Sequence, residues 1–348
     1  MSHHAPTLID PLGLATAALA QPLTSLLAAV VVTLGVVAFT PHSRAVRRVT
    51  PAGAGVARSA EARHLPERRA LGVTAIAMLV AFVGQAVGGV VGRPDDAVSW
   101  WRYVLPLGVS AIGLIVLAAL IVLRGTRAPQ APTMTTQRRT WWTFAPRWGV
   151  AAAAAAFVTL LITTVGAGLS SSPDGRGRYV WLELPVPNEP SVDPIRVWFY
   201  GWAYGLPVML GLGGLLVVTL TCLQANAVRP YIRPETVGAE RVARREVSSG
   251  TMRIMTASIV LALAAAWRLI GDAGSVSGLV VEGVNGGASY DVAWRYGEVA
   301  AAAGWCAPVL ETAALVLLLF ATRLLRRREA LDPHGSATDP TALVGAVR

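Results

Sequence analysis

The chain has 348 residues and a net charge of +10; 54% of its residues are hydrophobic and only 14% charged, against the ~25% charged of soluble domains. That balance excludes an ordinary water-soluble fold, because the apolar residues sit in continuous blocks and stretches such as 151–156 and 315–320 have no polar face. The positive charge by itself would suit nucleic acid, but its placement along the chain excludes that reading in favour of a topology signal.

Seven apolar runs occupy 14–39, 71–91, 104–123, 149–169, 197–222, 252–270 and 299–320. Each holds about the 20 apolar residues that cross ~30 Å of hydrocarbon as a helix. Only helices and closed barrels satisfy every backbone polar group in lipid. Barrel strands would show alternating segments of ~10 residues, which these runs are not. The expected fold is therefore all-α: a seven-transmembrane-helix bundle forming a single domain over 1–330.

The run 14–39 comes first. Residues 1–13 hold only His3, His4 and Asp10 as ionisable side chains. Without a positive n-region the run reads as a retained helix and not as a cleaved signal. Segments 40–70, 124–148, 223–253 and 321–348 together carry +15, and the alternate segments 1–13, 92–103, 170–196 and 271–298 carry −5. Positive charge on every second loop places the N-terminus outside and the C-terminus in the cytoplasm, in a cytoplasmic (plasma) membrane. Of the cytoplasmic segments, 50–69 and 125–136 are expected to be partly disordered or to lie on anionic headgroups. Residues 235–245 are expected to form a short surface helix, and 331–348 a loose tail.

All thirty basic residues are Arg. With that usage and topology the chain resembles multi-pass integral membrane proteins of high-GC Gram-positive bacteria; the resemblance is one of composition and layout and implies no functional residue. The lack of Lys also excludes a retinal Schiff base, which needs a lysine amine.

After the first run the chain reads as three hairpins. Pro106, Pro207 and Pro308 recur at a spacing of 101 residues, each preceded three positions earlier by Tyr103, Tyr204 or Trp305. Either a degenerate internal duplication or the fitness of Pro for a first helical turn produces such a pattern. Eight of eleven Trp lie towards the outer side, which suggests ordered outer loops. Within them, 278–284, Asn285-Gly286-Gly287 and 288–294 read as a β-hairpin, and 179–184 as a strand-like run. Cys222 and Cys306 are expected near opposite faces, too far apart to bridge.

Ionisable groups at membrane depth are the first candidates for function. Arg268, near the outer end of the sixth span, has a local partner in Asp272, four residues on. Glu311, near the middle of the seventh, is the single candidate for a mechanistic residue. It is expected to face protein or water, as a neutral acid, bonded to a neighbouring helix, or paired with Arg268. Gln85 reads as interhelical glue, and Gly84, Gly88 and Gly92 as a packing ridge of small residues. All five His (His3, His4, His42, His64 and His334) fall outside the spans, so no metal or haem site is expected. No cofactor or catalytic motif is found.

The expectation is a non-enzymatic protein of transport class, a permease or the membrane subunit of a multi-component transporter. Its partners would be the lipid bilayer and a second membrane or ATPase subunit, not nucleic acid. The alternative is a membrane sensor, scaffold or assembly partner with a Trp-rich structured outer face. A polar cavity reaching Glu311 would favour transport; a solid core with a grooved outer face would favour the alternative.

Overall fold

The structure, a computed structural model, describes residues 21–39, 51–91, 98–125, 139–186, 193–231, 234–276, 278–281, 288–292 and 294–326; for 51–62, 89–91, 125, 278–281, 288–291 and 326 it describes the backbone alone. Outside these lie the first residues of the 14–39 run, most of 125–136, Gly92, the Asn285-Gly286-Gly287 turn and the 331–348 tail.

Seven helices are long and apolar enough to cross a membrane. They are α1 (Pro22–Phe39), α2 (Pro51–Val91), α3 (Trp101–Gly125), α4 (Arg147–Leu169), α5 (Trp202–Val228), α6 (Val237–Gly274) and α7 (Gly297–Arg326). One end of the bundle gathers the starts of α2, α4 and α6 with the ends of α3, α5 and α7. There Gly250 packs on Leu71 and Leu324, Gly149 packs on Met252, and Arg229 reaches the Arg124 carbonyl. This is the Arg-rich end. At the Arg-poor end Gly168 meets Trp202, and Gly271 meets Gly304.

Three expectations need correcting. Residues 51–69 are not loose: α2 begins at Pro51, twenty residues before its apolar run, and contains Pro66. The surface helix expected at 235–245 is instead the first part of α6, with Glu240, Ala243 and Arg244 buried. Both helices extend past the apolar run because neighbouring helices supply partners for their polar residues. The span expected from 197 starts later. Ile195–Trp198 is a strand, and α5 begins at Trp202 after Gly201. A Cβ on Gly201 would collide with the Tyr179 carbonyl and with Ser171, so only Gly admits this close strand-to-helix turn.

α6 is the axis. Two thirds (67%) of its most apolar stretch is buried inside the protein, and it packs against α2, α3, α4, α5 and α7. Ser, Thr, Ala and Gly fill much of it, and Ala257, Ala262, Ala264 and Ala266 are fully buried. Lipid tails are as apolar as Leu, so helices associate in a bilayer through close van der Waals packing, which small residues allow. The tightest crossing is α6 on α7: a Cβ on Gly271 would lie 2.6 Å from the Gly304 Cα, and one on Gly274 would overlap Ala300. Around α6 the other helices run α7, α2, α3, α5, α4. Among the described residues the ring is open between α4 and α7, which form no packed seam, and α1 leans on the outside of α7.

The ridge of Gly84, Gly88 and Gly92 can be followed at its first two members. A Cβ on either would meet nothing within 4 Å among the described residues, so within those residues they draw no helices together. The proline repeat is uneven too. Pro106 and Pro207 are each the sixth residue of their helices, but Pro308 is the twelfth of α7, so none sits in a first turn. Tyr103 and Tyr204 meet edge to face at 5.2 Å, with Tyr200 beside both; Trp305 is exposed.

A small antiparallel sheet covers part of the Arg-poor end: β1 (Ser172–Pro173), β2 (Tyr179–Leu184) and β3 (Ile195–Trp198). Val180, Leu182 and Leu184 of β2 point inward and are buried, as a period of two requires. Trp181 pairs with Trp198 across the strands, ring centroids 4.4 Å apart. In the β1–β2 turn Gly177 takes φ +75°, and one Asp174 carboxylate oxygen accepts from the Arg176 and Arg178 amides. Elsewhere β4 (Gly278–Val281) pairs antiparallel with β5 (Ala288–Asp291), Val281 opposite Ala288.

Candidate functional site

Chemistry-bearing residues gather in three places: at mid-depth, at the Arg-rich end and at the Arg-poor end. The mid-depth group joins α1, α6 and α7. Arg268 donates from Nε to Glu311 Oε1 and from Nη2 to Glu311 Oε2, both at 2.6 Å. This is the two-pronged geometry in which guanidinium and carboxylate match best. Ser25 Oγ donates to Glu311 Oε2 at 3.0 Å. Thr312 Oγ1 donates to the Pro308 carbonyl at 2.8 Å and reaches towards the Ser25 carbonyl at 3.5 Å. The Glu311 side chain is 6% exposed and that of Arg268 20%. Glu311 thus faces protein, and of the expected alternatives two are found together: the pairing with Arg268 and a hydrogen bond from a neighbouring helix, through Ser25. The physical cause of the pairing is the Gly271–Gly304 crossing, which draws α7 against α6 and brings Glu311 within reach of Arg268.

Gln85 lies elsewhere. Its Nε2 donates to the Arg102 carbonyl at 2.9 Å, tying the end of α2 to the start of α3.

The Arg-rich end carries a buried polar collar that reading the loops as topology signals did not reveal. His64, one turn from Glu67, is hydrogen-bonded through Nδ1 to Glu67 Oε2 at 2.6 Å. Because a carboxylate only accepts, Nδ1 carries the proton. Arg229 of the segment after α5 donates to Glu67 Oε1 at 2.5 Å. Both acids of a second set lie on α6: Glu240 accepts from Arg63 and Arg244 at 3.4 Å and from Thr236 at 3.0 Å, and Glu246 pairs with Arg68 at 2.6 Å. The fully buried Arg244 also spans the Asn226, Ala227 and Pro230 carbonyls at 3.2–3.5 Å, and it lies 4.3 Å over the Tyr231 ring. A helix ends with unmatched carbonyls and the negative end of its dipole. Arg244 matches those of α5, and Arg229 reaches the Arg124 carbonyl of α3. The signal in the sequence was the pair of spacings His64–Glu67 and Glu240–Arg244, three and four residues, which place both members on one helix face.

At the Arg-poor end the gap between α4 and α7 is a groove floored by α6, of about 710 Å³. Ile162, Gly166, Trp267, Ile270, Trp294 and Val299 supply most of its apolar wall, with Thr163, Ser170 and Arg295 as polar members. Trp267 Nε1 donates to Thr163 Oγ1 at 3.1 Å, which orients the indole along the floor. Two smaller apolar hollows lie between α4, α5 and α6 and between α1 and α7. Cys306 lines the groove and is exposed, while Cys222 is buried and its Sγ donates to the Leu114 carbonyl; both are free thiols.

Among the described residues no group of three His, Cys, Asp or Glu side chains could hold a metal ion. No family model, curated protein or solved structure matches the chain.

Proposed function

We propose that the chain is a non-enzymatic module of the cytoplasmic membrane: a receptor or assembly partner whose working surface is its Arg-poor end, facing out of the cell. The single observation behind this reading is that α6 fills the bundle axis while its mid-depth ion pair is closed on itself. A carrier needs a polar route that opens alternately to each side, with an acid free to exchange protons or bind cargo. Here Glu311 already accepts three hydrogen bonds from Arg268 and Ser25, and the described hollows are apolar and lie at the periphery of α6. At the Arg-poor end, by contrast, an ordered sheet, two Trp pairs with neighbours and a broad groove offer a recognition surface. The Arg asymmetry supports the orientation.

The test is cysteine accessibility. In a chain with Cys222 and Cys306 replaced by Ala, single cysteines at Ala262, Ala266 and Ala314 sit at positions with 0% exposure. A membrane-impermeant thiol reagent should label none of them from either face of the membrane. Labelling of one position from both faces would require alternating access. It would replace this reading with transport, as a permease or as the membrane subunit of an ATPase-driven assembly.

A further inference from the structure

We infer that the groove between α4 and α7 binds one acyl chain of a phospholipid whose anionic headgroup is held by Arg295. The inference rests on the recognition role assigned above to the Arg-poor end, and it names the ligand class.

The shape comes first. α4 and α7 both pack on α6 but form no seam with each other, so among the described residues the groove is open along its side, where lipid would lie. Its rim residues Ile162, Leu169 and Val299 are exposed by 67–76%. A volume of about 710 Å³ falls within the ~300–1,000 Å³ range of sites that enclose small ligands.

Depth and charge then select the ligand. Trp294 and Tyr296 stand at the head of α7, where amphipathic rings mark the headgroup layer, and their rings meet edge to face at 5.5 Å. Arg295 lies between them in sequence and lines the same groove. Among the described residues it has no carboxylate partner; its guanidinium sits 4.4 Å over the Tyr296 ring, with its donors left for a ligand. An apolar trough that ends in a guanidinium without a carboxylate partner among the described residues is complementary to an amphiphile with a negative head. A zwitterionic lipid offers the same phosphate with a cation beside it and so matches the guanidinium less well than a head of net negative charge, and an apolar peptide segment would leave the guanidinium unmatched.

The test uses native mass spectrometry of the full-length protein, purified with bilayer lipid and titrated with phosphatidylglycerol or phosphatidylcholine. Wild type should retain one phosphatidylglycerol at collision energies that strip phosphatidylcholine. Arg295→Gln, at an exposed position, should lower that preference about five-fold, the equivalent of ~1 kcal/mol for one basic residue at a charged surface. Gly166→Phe should abolish retention without unfolding the protein, because a Cβ on Gly166 meets nothing within 4 Å and the ring can enter the groove. Equal retention of the two lipids by wild type overturns the inference. So does undiminished retention by a folded Gly166→Phe, or a groove in wild type that accepts no exchangeable lipid because residues 1–20 of the chain or a second copy fill it. None of these results touches the core cysteines, so failure of the groove and failure of the module reading are distinguishable.

Discussion

Replacing Glu311 by Ala should destabilise the bundle by about 3 kcal/mol. Breaking a buried pair by removing one partner costs about 3–5 kcal/mol, because the other charge is left unmatched. The lower end applies here, since the Arg268 side chain is 20% exposed and lies near the end of α6, where it can swing towards the headgroups. Glu311→Gln should also be costly, about 2 kcal/mol: the amide oxygen can still accept from Ser25 and Arg268 Nη2, but its NH2 faces Arg268 Nε as donor against donor, and the guanidinium charge loses its partner. The reason is the Arg268 fork, which only a carboxylate matches with both oxygens. Ser25→Ala removes one hydrogen bond and should cost about 0.6 kcal/mol, the mean for such bonds between membrane helices. The double variant Arg268→Leu/Glu311→Leu leaves no charge unmatched and should recover most of the loss, since buried pairs are commonly replaceable by apolar residues. The assay is reversible unfolding in mixed micelles by SDS titration, analysed as a double-mutant cycle. Glu311→Ala within about 0.5 kcal/mol of wild type, or an additive double variant, would refute the argument.

Glycine substitutions separate real crossings from apparent ones. Gly271→Ala puts a methyl against the Gly304 backbone, which cannot move aside, and should cost about 1–3 kcal/mol in the same titration. Gly84→Ala and Gly88→Ala meet open space and should be neutral or gain up to about 1 kcal/mol of helix propensity. Arg244→Met should lower the melting temperature and speed hydrogen exchange at the end of α5, because the Asn226, Ala227 and Pro230 carbonyls lose their donor; unchanged exchange there would remove Arg244 from the collar. Reporter fusions at Gly55, Pro132 and Gly238 should read cytoplasm and those at Asp96, Ser191 and Gly286 outside, as the +15 against −5 asymmetry requires; one clear inversion among the six would mean that a span has been miscounted. Asp174 is pulled in two directions. Desolvation raises its pKa, but the Arg178 and Arg176 amides and the Arg178 guanidinium outweigh that and hold it below the ordinary carboxylate value. The β1–β2 turn should therefore be at full stability above that ordinary value and loosen as pH falls through the depressed one. Trp181 and Trp198 fluorescence should follow the loosening, and Asp174→Asn should make the signal independent of pH in that range.

Class and layout were legible in the residues alone. Seven runs of about twenty apolar residues can cross a bilayer only as helices, because lipid offers the backbone no partner, and all seven appear as helices. Hydropathy is local and additive, so the apolar part of each span could be read without its neighbours. Where helices begin and end could not be read this way. α2 and α6 run on through Arg-rich sequence because Arg63, Glu67, Arg68, Glu240 and Arg244 find partners on other elements, and a partner distant in the chain leaves no local mark. Glu311 stood out in the sequence as a charge in hydrocarbon, and Arg268 was one of several partners open to it. Only the Gly271–Gly304 crossing decided between them, by setting the depth of α7 against α6. The glycine ridge shows the converse: Gly84 and Gly88 share the small-residue spacing of a close contact, but whether such a face meets a helix or open space depends on how the whole bundle is rotated. The groove was invisible for the same reason, since it is a gap between α4 and α7 that exists only because both pack on α6 and not on each other.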